Sequence, residues 1–150
     1  MRLASVSGFG SLPRRGGASR TAAESEASDN SVRVGASVLI VDDHAGFRAH
    51  ARRLLEFEGY RVVGEAADSN SALEVARALE PELALVDVHL PDANGFELTA
   101  WLGTLPDPPA VVLTSSRDGA GLETCVSECG ARGFVPKSEL SREAIEEQLR

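Results

Sequence analysis

The chain has 150 residues, of which 43% are hydrophobic and 25% are charged, as expected for one globular domain. No apolar run approaches the roughly 18 residues that a membrane-spanning helix needs, and two cysteines are too few for a disulfide framework. The net charge of −8 argues against a nucleic-acid groove as the main surface. Composition therefore excludes a membrane-spanning protein and a small disulfide-rich secreted domain.

Residues 1–35 differ in composition from the rest of the chain. Glycine, serine, alanine and threonine make up half of the first 34 positions, so few large apolar side chains are present to offset the entropy of ordering. We predict a disordered, low-complexity tail over residues 1–35 and a folded domain over residues 36–150. The arginines and serines of the tail weakly resemble an organellar transit peptide, but its glycines disfavour the helix that such a peptide needs. A plain linker or a misassigned start is the favoured alternative.

Five short segments, most of them apolar and rich in β-branched residues, predict strands, and the first and third of them are expected to be buried. These segments lie at residues 38–41, 61–66, 83–86, 111–113 and 134–135.

Apolar residues recur at helical spacing after each of these segments, which predicts five helices. The predicted apolar faces consist of Phe47, Ala51, Leu54 and Leu55; Leu73, Ala76 and Leu79; Leu98, Trp101, Leu102 and Leu105; Leu122, Cys125, Val126 and Cys129; and Leu140, Ala144, Ile145 and Leu149. Strict alternation of strands and helices predicts an α/β fold, a doubly wound five-stranded parallel sheet with helices on both faces. Ligand sites in such sheets lie beyond the carboxyl ends of the strands.

Charged and hydroxyl side chains occupy these predicted strand ends. Asp42 and Asp43 follow the first strand, Asp87 ends the third, Thr114 follows the fourth and Lys137 follows the fifth. Three neighbouring carboxylates repel one another unless a cation neutralises them, and an all-oxygen ligand set favours Mg²⁺. Carboxylates, Mg²⁺, a lysine and a hydroxyl together suit phosphoryl transfer, with an aspartate as the nucleophile that forms an acyl phosphate.

Four sequence motifs in order resemble the signatures of the response-regulator receiver domain of two-component signal transduction. They are VLIVDDH, LVDVHLPDANG, VVLTSS and GARGFVPK, and the resemblance covers residues 36–150. It implies the flavodoxin-like (βα)5 receiver fold. The string VDDH with a following FR is similar to receivers that carry a helix-turn-helix output domain.

The resemblance also implies roles at the acidic end of the sheet. Asp87 would be the phosphoacceptor. Asp43 and Asp87 would ligate Mg²⁺ directly, together with the backbone carbonyl of His89, and Asp42 would act largely through water. Lys137 would pair with Asp87 and then with its phosphate.

Two further residues would form the switch. Thr114 would move toward a phosphoryl oxygen, and Phe134 would rotate inward to fill the space left behind. The face formed by the fourth helix, fifth strand and fifth helix would then change its preference for partners, as in a two-state element biased by a local charge.

The implied function is that of a bacterial, cytoplasmic phosphorelay protein. Its partners would be a sensor histidine kinase or a histidine phosphotransfer protein and a downstream protein target, without direct binding to nucleic acid or membrane. Such a protein promotes only its own phosphorylation and dephosphorylation and is not an enzyme; a phosphorylation-dependent homodimer is compatible with it. The alternative is the receiver fragment of a helix-turn-helix transcription factor. A phosphohydrolase is set aside because Asp87-Val88-His89 lacks the D-x-D nucleophile motif.

Several residues also have purely structural interpretations. Asp42 and Asp43 can serve as turn and helix-cap residues, Thr114 as an ordinary strand residue and Phe134 as a core aromatic. The spacing of Cys125 and Cys129 predicts core thiols rather than a metal site. The three histidines are scattered and do not form a zinc constellation.

Overall fold

Strands and helices alternate along residues 35–150, the part of the chain that the computed structural model describes. The strands are β1 Ser37–Val41, β2 Arg61–Ala66, β3 Leu83–Asp87, β4 Ala110–Ser115 and β5 Gly133–Pro136. The helices are α1 Ala45–Phe57, α2 Ser69–Leu79, α3 Gly95–Leu102, α4 Glu123–Cys129 and α5 Arg142–Leu149, and a short 3₁₀ turn at Lys137–Glu139 precedes α5.

All five strands run parallel in one sheet of order β2-β1-β3-β4-β5. The predicted doubly wound fold is therefore confirmed. β1 lies in the interior of the sheet, β2 forms one edge, and β3, β4 and β5 build the other half. The strand order thus reverses between β1 and β3, which is where such sheets form their ligand crevice.

The core has two halves, one on each face of the sheet. Val38 and Ile40 of β1 pack into the half that is covered by α1 and α5, whereas Leu39 and Val41 pack into the half that is covered by α2, α3 and α4. This division follows from the two-residue period of a strand, which turns alternate side chains to opposite faces. It explains why β1 is apolar at every position after Ser37.

Some positions on the predicted helical faces are not buried. Trp101 is 43% exposed and Leu79 is 49% exposed, because spacing groups residues on one side of a helix without fixing how far the sheet covers that side. Cys125 is exposed as well, and α4 has no buried residue, so the prediction that Cys125 is a core thiol was wrong. Leu105 lies beyond α3, and Leu140 precedes α5.

The predicted tail falls almost entirely outside the described residues. Gly35 is the exception, and its N–H donates to the Gly59 carbonyl at 2.7 Å. Within residues 35–150, no helix is both long enough and apolar enough to cross a membrane.

Candidate functional site

Three aspartates meet at the carboxyl ends of β1 and β3. One carboxylate oxygen from each of Asp42, Asp43 and Asp87 lies within 4.8 Å of the other two. Asp42 is fully buried and Asp87 is 5% exposed, whereas Asp43 is exposed. The cause is local, because β1 and β3 are hydrogen-bonded neighbours with Val41 opposite Val86. Asp42, directly after β1, and Asp87, the last residue of β3, therefore lie side by side.

Asp42 has both a structural role and a place in the cluster. Its Oδ1 accepts the N–H of His44 at 2.8 Å, which closes the turn into α1, and its Oδ2 lies 2.6 Å from Nζ of Lys137. The turn-forming interpretation of Asp42 thus describes one of its two oxygens. The other oxygen faces the charge of Lys137.

Lys137 lies at the point where β5 ends and the 3₁₀ turn begins. Its Nζ contacts Oδ2 of Asp87 at 3.3 Å as well as Asp42, and its side chain is 17% exposed. Burial lowers the pKa of Lys137, but its contacts with Asp42 and Asp87 outweigh burial and raise the pKa above its usual value. The ammonium is therefore held in its charged form between two carboxylates.

Asp87 carries a charge that the fold disfavours. Burial raises the pKa of its carboxyl and repulsion from Asp42 adds to this, although the His89 N–H and Lys137 act in the opposite direction. The His89 N–H donates to Oδ1 of Asp87 at 3.2 Å, while the His89 residue itself is exposed. A buried aspartate with a raised pKa at a strand end is a candidate for a reactive site.

The two predicted switch residues lie on neighbouring strands. Thr114 is 1% exposed and stands opposite Asp87 in the pairing of β3 with β4. Phe134 stands opposite Leu113 in the pairing of β4 with β5 and is half-buried. Its ring lies so close to Gly119 that a methyl group at that glycine would overlap it.

Two residues of α1 join the site, although no role was predicted for them there. The ring centroid of Phe47 lies 4.5 Å from Nζ of Lys137. Nη1 of Arg48 donates to the backbone carbonyl of Asp42 at 2.6 Å, and its Nε pairs with Glu65 of β2 at 3.0 Å. The only sequence signal is the FR pair that follows VDDH.

Asp92 fixes the loop that follows β3. Its carboxylate accepts the backbone N–H and the hydroxyl of Ser69 at 2.9 and 2.7 Å, and the N–H of Asn70 at 3.2 Å. These hydrogen bonds, led by that of the Ser69 backbone, lower the pKa of Asp92. The loop beside Asp87 is therefore tied to the start of α2.

The donor set of the three aspartates fits a hard divalent cation. All three side chains offer carboxylate oxygens, which Mg²⁺ prefers, and the Lys137 ammonium contacts two of them, those of Asp42 and Asp87. Oδ2 of Asp42 is buried and has no hydrogen bond of good geometry within the described residues. One ammonium cannot balance three neighbouring carboxylates, so negative charge remains for a cation to neutralise.

Comparison with known proteins identifies relatives of the whole folded part. The family model described as the response regulator receiver domain matches residues 38–150. The chain is 38% identical over 109 residues to the virulence-factor transcription regulator BvgA of Bordetella pertussis, covering 72% of this chain and 52% of BvgA. The chain thus spans about half the length of the curated relatives it matches.

Two solved structures have the same fold. The signal receiver domain of NarL from Mycobacterium tuberculosis is 32% identical with a TM-score of 0.68, covering 77% of this chain and 93% of that chain. A two-component response regulator of the LuxR family from Aurantimonas sp. SI85-9A1 is also 32% identical with a TM-score of 0.68, covering 77% and 87%.

Proposed function

Because this chain belongs to the response-regulator receiver family, we propose that Asp87 accepts a phosphoryl group and that its phosphorylation switches a protein-binding face. The observation that carries the proposal is the position of Asp87. It is a buried carboxylate with a raised pKa, next to two other aspartates and in contact with Lys137. An aspartate with a purely structural role would not be expected to be buried beside two other carboxylates, because their repulsion destabilises its charge.

The reaction is a displacement at phosphorus. A carboxylate oxygen of Asp87 attacks the phosphorus of a phosphohistidine on a partner protein and forms a new P–O bond. The P–N bond breaks, and its electron pair returns to the imidazole nitrogen. With a small acyl phosphate as donor, a P–O bond breaks instead and a carboxylate leaves. Lys137 remains close enough to neutralise charge on the product, since its Nζ already contacts Asp87.

Asp43 and Asp87, with the backbone carbonyl of His89, are the proposed direct ligands of Mg²⁺, and Asp42 is proposed to act largely through water. When bound, the ion supplies positive charge that neutralises the phosphoryl oxygens. Asp42 also holds the Lys137 ammonium beside Asp87, while the turn that Asp42 forms with His44 keeps its carboxylate in place.

Thr114 and Phe134 are the proposed switch. The Thr114 hydroxyl is proposed to approach a phosphoryl oxygen, which frees space that the Phe134 ring then fills. Support comes from the register, because Thr114 stands opposite Asp87 and Phe134 belongs to the next strand. The face that changes is formed by α4, β5 and α5, and we call it the α4–β5–α5 face.

We place the protein in a phosphorelay of the cytoplasm. The proposed phosphoryl donor is a sensor histidine kinase or a histidine phosphotransfer protein, and the output is a downstream protein bound through the α4–β5–α5 face. Phosphorylation-dependent pairing of two copies is proposed as a further output. The family acts as a phosphoacceptor switch, and we propose that this chain promotes only its own phosphorylation and dephosphorylation. Residues 1–35 are proposed as a tail and residues 36–150 as the receiver.

A second function is favoured by the comparisons. The chain spans about half of relatives that are named as transcription regulators, so it is also a candidate for the receiver part of a helix-turn-helix transcription factor. The coding sequence downstream of Arg150 decides between the two. An in-frame helix-turn-helix domain would establish the transcription factor, and a stop codon would favour the single-domain receiver.

Phosphoryl transfer is tested by incubating the chain with Mg²⁺ and acetyl phosphate and measuring intact mass. We expect one phosphoryl group that hydroxylamine removes, and none on Asp87→Asn. Asp107→Asn, a change at an exposed aspartate after α3, is the matched control and should behave as wild type. Equal labelling of Asp87→Asn and wild type would exclude Asp87 as the phosphoacceptor.

The switch is tested by hydrogen exchange with and without acetyl phosphate. We expect phosphorylation to change protection within residues 119–137. Lys137→Arg retains the positive charge but replaces a compact ammonium with a planar fork, so this variant should still be phosphorylated and should show much less change. Equal responses in both proteins would show that Lys137 does not couple the phosphate to Phe134.

A further inference from the structure

We propose that Phe47 is a positioning residue for Lys137, whose ring holds the ammonium against Asp42 and Asp87. The contact is a cation–π interaction between α1 and the start of the 3₁₀ turn. This inference rests on the proposed function, because the position of Lys137 matters for activity only when Asp87 accepts a phosphoryl group.

The groups around Nζ of Lys137 support this role for Phe47. Nζ lies 4.5 Å from the Phe47 ring centroid, inside the range of about 6 Å over which an aromatic face attracts a cation. Oδ2 of Asp42 and Oδ2 of Asp87 lie 2.6 and 3.3 Å from the same Nζ. The ammonium therefore has negative groups and a ring face around it, and only 17% of the lysine side chain is exposed. By excluding water from one side, the ring also strengthens the attraction between the ammonium and the carboxylates.

The ring itself is held in place by its neighbour in the chain. Arg48 donates to the Asp42 carbonyl through Nη1 and pairs with Glu65 through Nε. These contacts fasten the first turn of α1 to the ends of β1 and β2. His44, the N-cap residue of α1, makes no side-chain cap hydrogen bond, so Arg48 and the turn at Asp42 fix where the helix begins. Phe47 is consequently set at a defined position over Lys137.

A ring face suits a cation that must change partners. Hydrogen-bond acceptors require the N–H groups to point at them, whereas a ring attracts the whole ammonium without demanding one direction for its donors. Lys137 can therefore turn an N–H from Asp42 toward a phosphoryl oxygen on Asp87 and keep its contact with Phe47. A carboxylate at position 47 would instead compete with the phosphate.

The sole lysine of the chain makes the contact directly measurable. Because Lys137 is the only lysine among 150 residues, a chain labelled with isotopic lysine gives the NMR signals of a single lysine side chain. Without phosphate or Mg²⁺, we expect the ε-methylene protons to be shifted upfield by the ring and to show a nuclear Overhauser effect to Phe47. Phe47→Tyr should keep the upfield shift, and Phe47→Leu should return it to the value of free lysine. Phe57→Leu, at the 91% exposed end of the same helix, should change nothing.

The activity arm compares phosphorylation rates with acetyl phosphate. We expect Phe47→Leu to be slower by about fivefold, the effect of one partly buried cation–π contact, and Phe47→Tyr and Phe57→Leu to match wild type. A wild-type lysine signal without an upfield shift, or equal rates for Phe47→Leu and wild type, would overturn the proposal. If wild type accepts no phosphoryl group, the proposed function fails, and the lysine signal of the unphosphorylated chain still decides the placement of Phe47.

Discussion

Replacing Asp87 by asparagine should stabilise the fold at neutral pH when divalent cations are removed with a chelator. Burial raises the pKa of Asp87, and repulsion from Asp42 adds to the shift. The ionised carboxylate therefore lowers the free energy of unfolding at pH 7. Asparagine keeps the shape of the side chain and removes its charge, so the substitution removes this cost without opening a cavity.

The charges around Asp87 set the size of the effect. At an effective dielectric constant of about 20, the charge of Asp42, within 4.8 Å, repels Asp87 by about 3 kcal/mol, and solvent screens the exposed Asp43. Lys137, at 3.3 Å, attracts it by about 5 kcal/mol. Burial, the largest cause of the raised pKa of Asp87, outweighs the difference between this attraction and the repulsion. We therefore expect Asp87→Asn to raise the free energy of unfolding by about 1–2 kcal/mol.

Urea denaturation at pH 7 and at pH 3 checks both size and sign. The folded-state pKa of Asp87 lies above its unfolded value, so its ionisation costs nothing below the unfolded pKa of about 3.9, and the cost appears as the pH rises through the folded pKa. The gain from Asp87→Asn should be present at pH 7 and absent at pH 3. Asp107→Asn should stay within about 0.5 kcal/mol of wild type at both pH values. A loss of stability at pH 7, or an equal gain at both, would refute the reasoning.

Three further predictions test other parts of the account. Mg²⁺ should raise the melting temperature of wild type by mass action and raise that of Asp43→Ala much less; equal rises would contradict a role for Asp43 as a ligand. Gly119→Ala should lower the free energy of unfolding by about 2 kcal/mol, because φ is +83° and the new methyl group meets Phe134. Gly121→Ala, where φ is +84° but no atom lies near the new methyl group, should lower it by about 1 kcal/mol. Burial raises the pKa of Tyr60 to about 12. The stabilisation linked to its protonated hydroxyl is therefore complete below about pH 10 and is lost as the pH rises through 12. A midpoint near pH 10 for the ultraviolet absorbance change of tyrosine ionisation in the folded chain would disprove this.

Much of the fold and of the acidic site follows from local patterns in the sequence. The short apolar runs predict buried strands because β1 and β3 have neighbours on both faces and both edges. Since neighbouring parallel strands have their carboxyl ends at the same edge of the sheet, the residue after β1 and the last residue of β3 had to lie close together, as Asp42 and Asp87 do.

Contacts that depend on how helices are seated could not be predicted in this way. Helical spacing put Trp101 and Cys125 on apolar faces, yet both are exposed, because spacing carries no information on how far neighbours cover a face. The contact of Phe47 with Lys137 joins residues that lie far apart in the chain, and it exists because the start of α1 and the turn after β5 meet at the same end of the sheet. For the same reason the sequence paired Lys137 with Asp87, whereas Nζ lies closer to Asp42.

Chemical mapping of the phosphoryl group tests the central claim most directly. After incubation with Mg²⁺ and acetyl phosphate, borohydride reduces an aspartyl phosphate to homoserine, which marks the modified residue permanently for peptide mass spectrometry. We predict homoserine at position 87 alone, and none when acetyl phosphate is omitted. Homoserine at Asp42 or Asp43, or an unmodified peptide around Asp87 in a chain that carries phosphate, would contradict Asp87 as the phosphoacceptor.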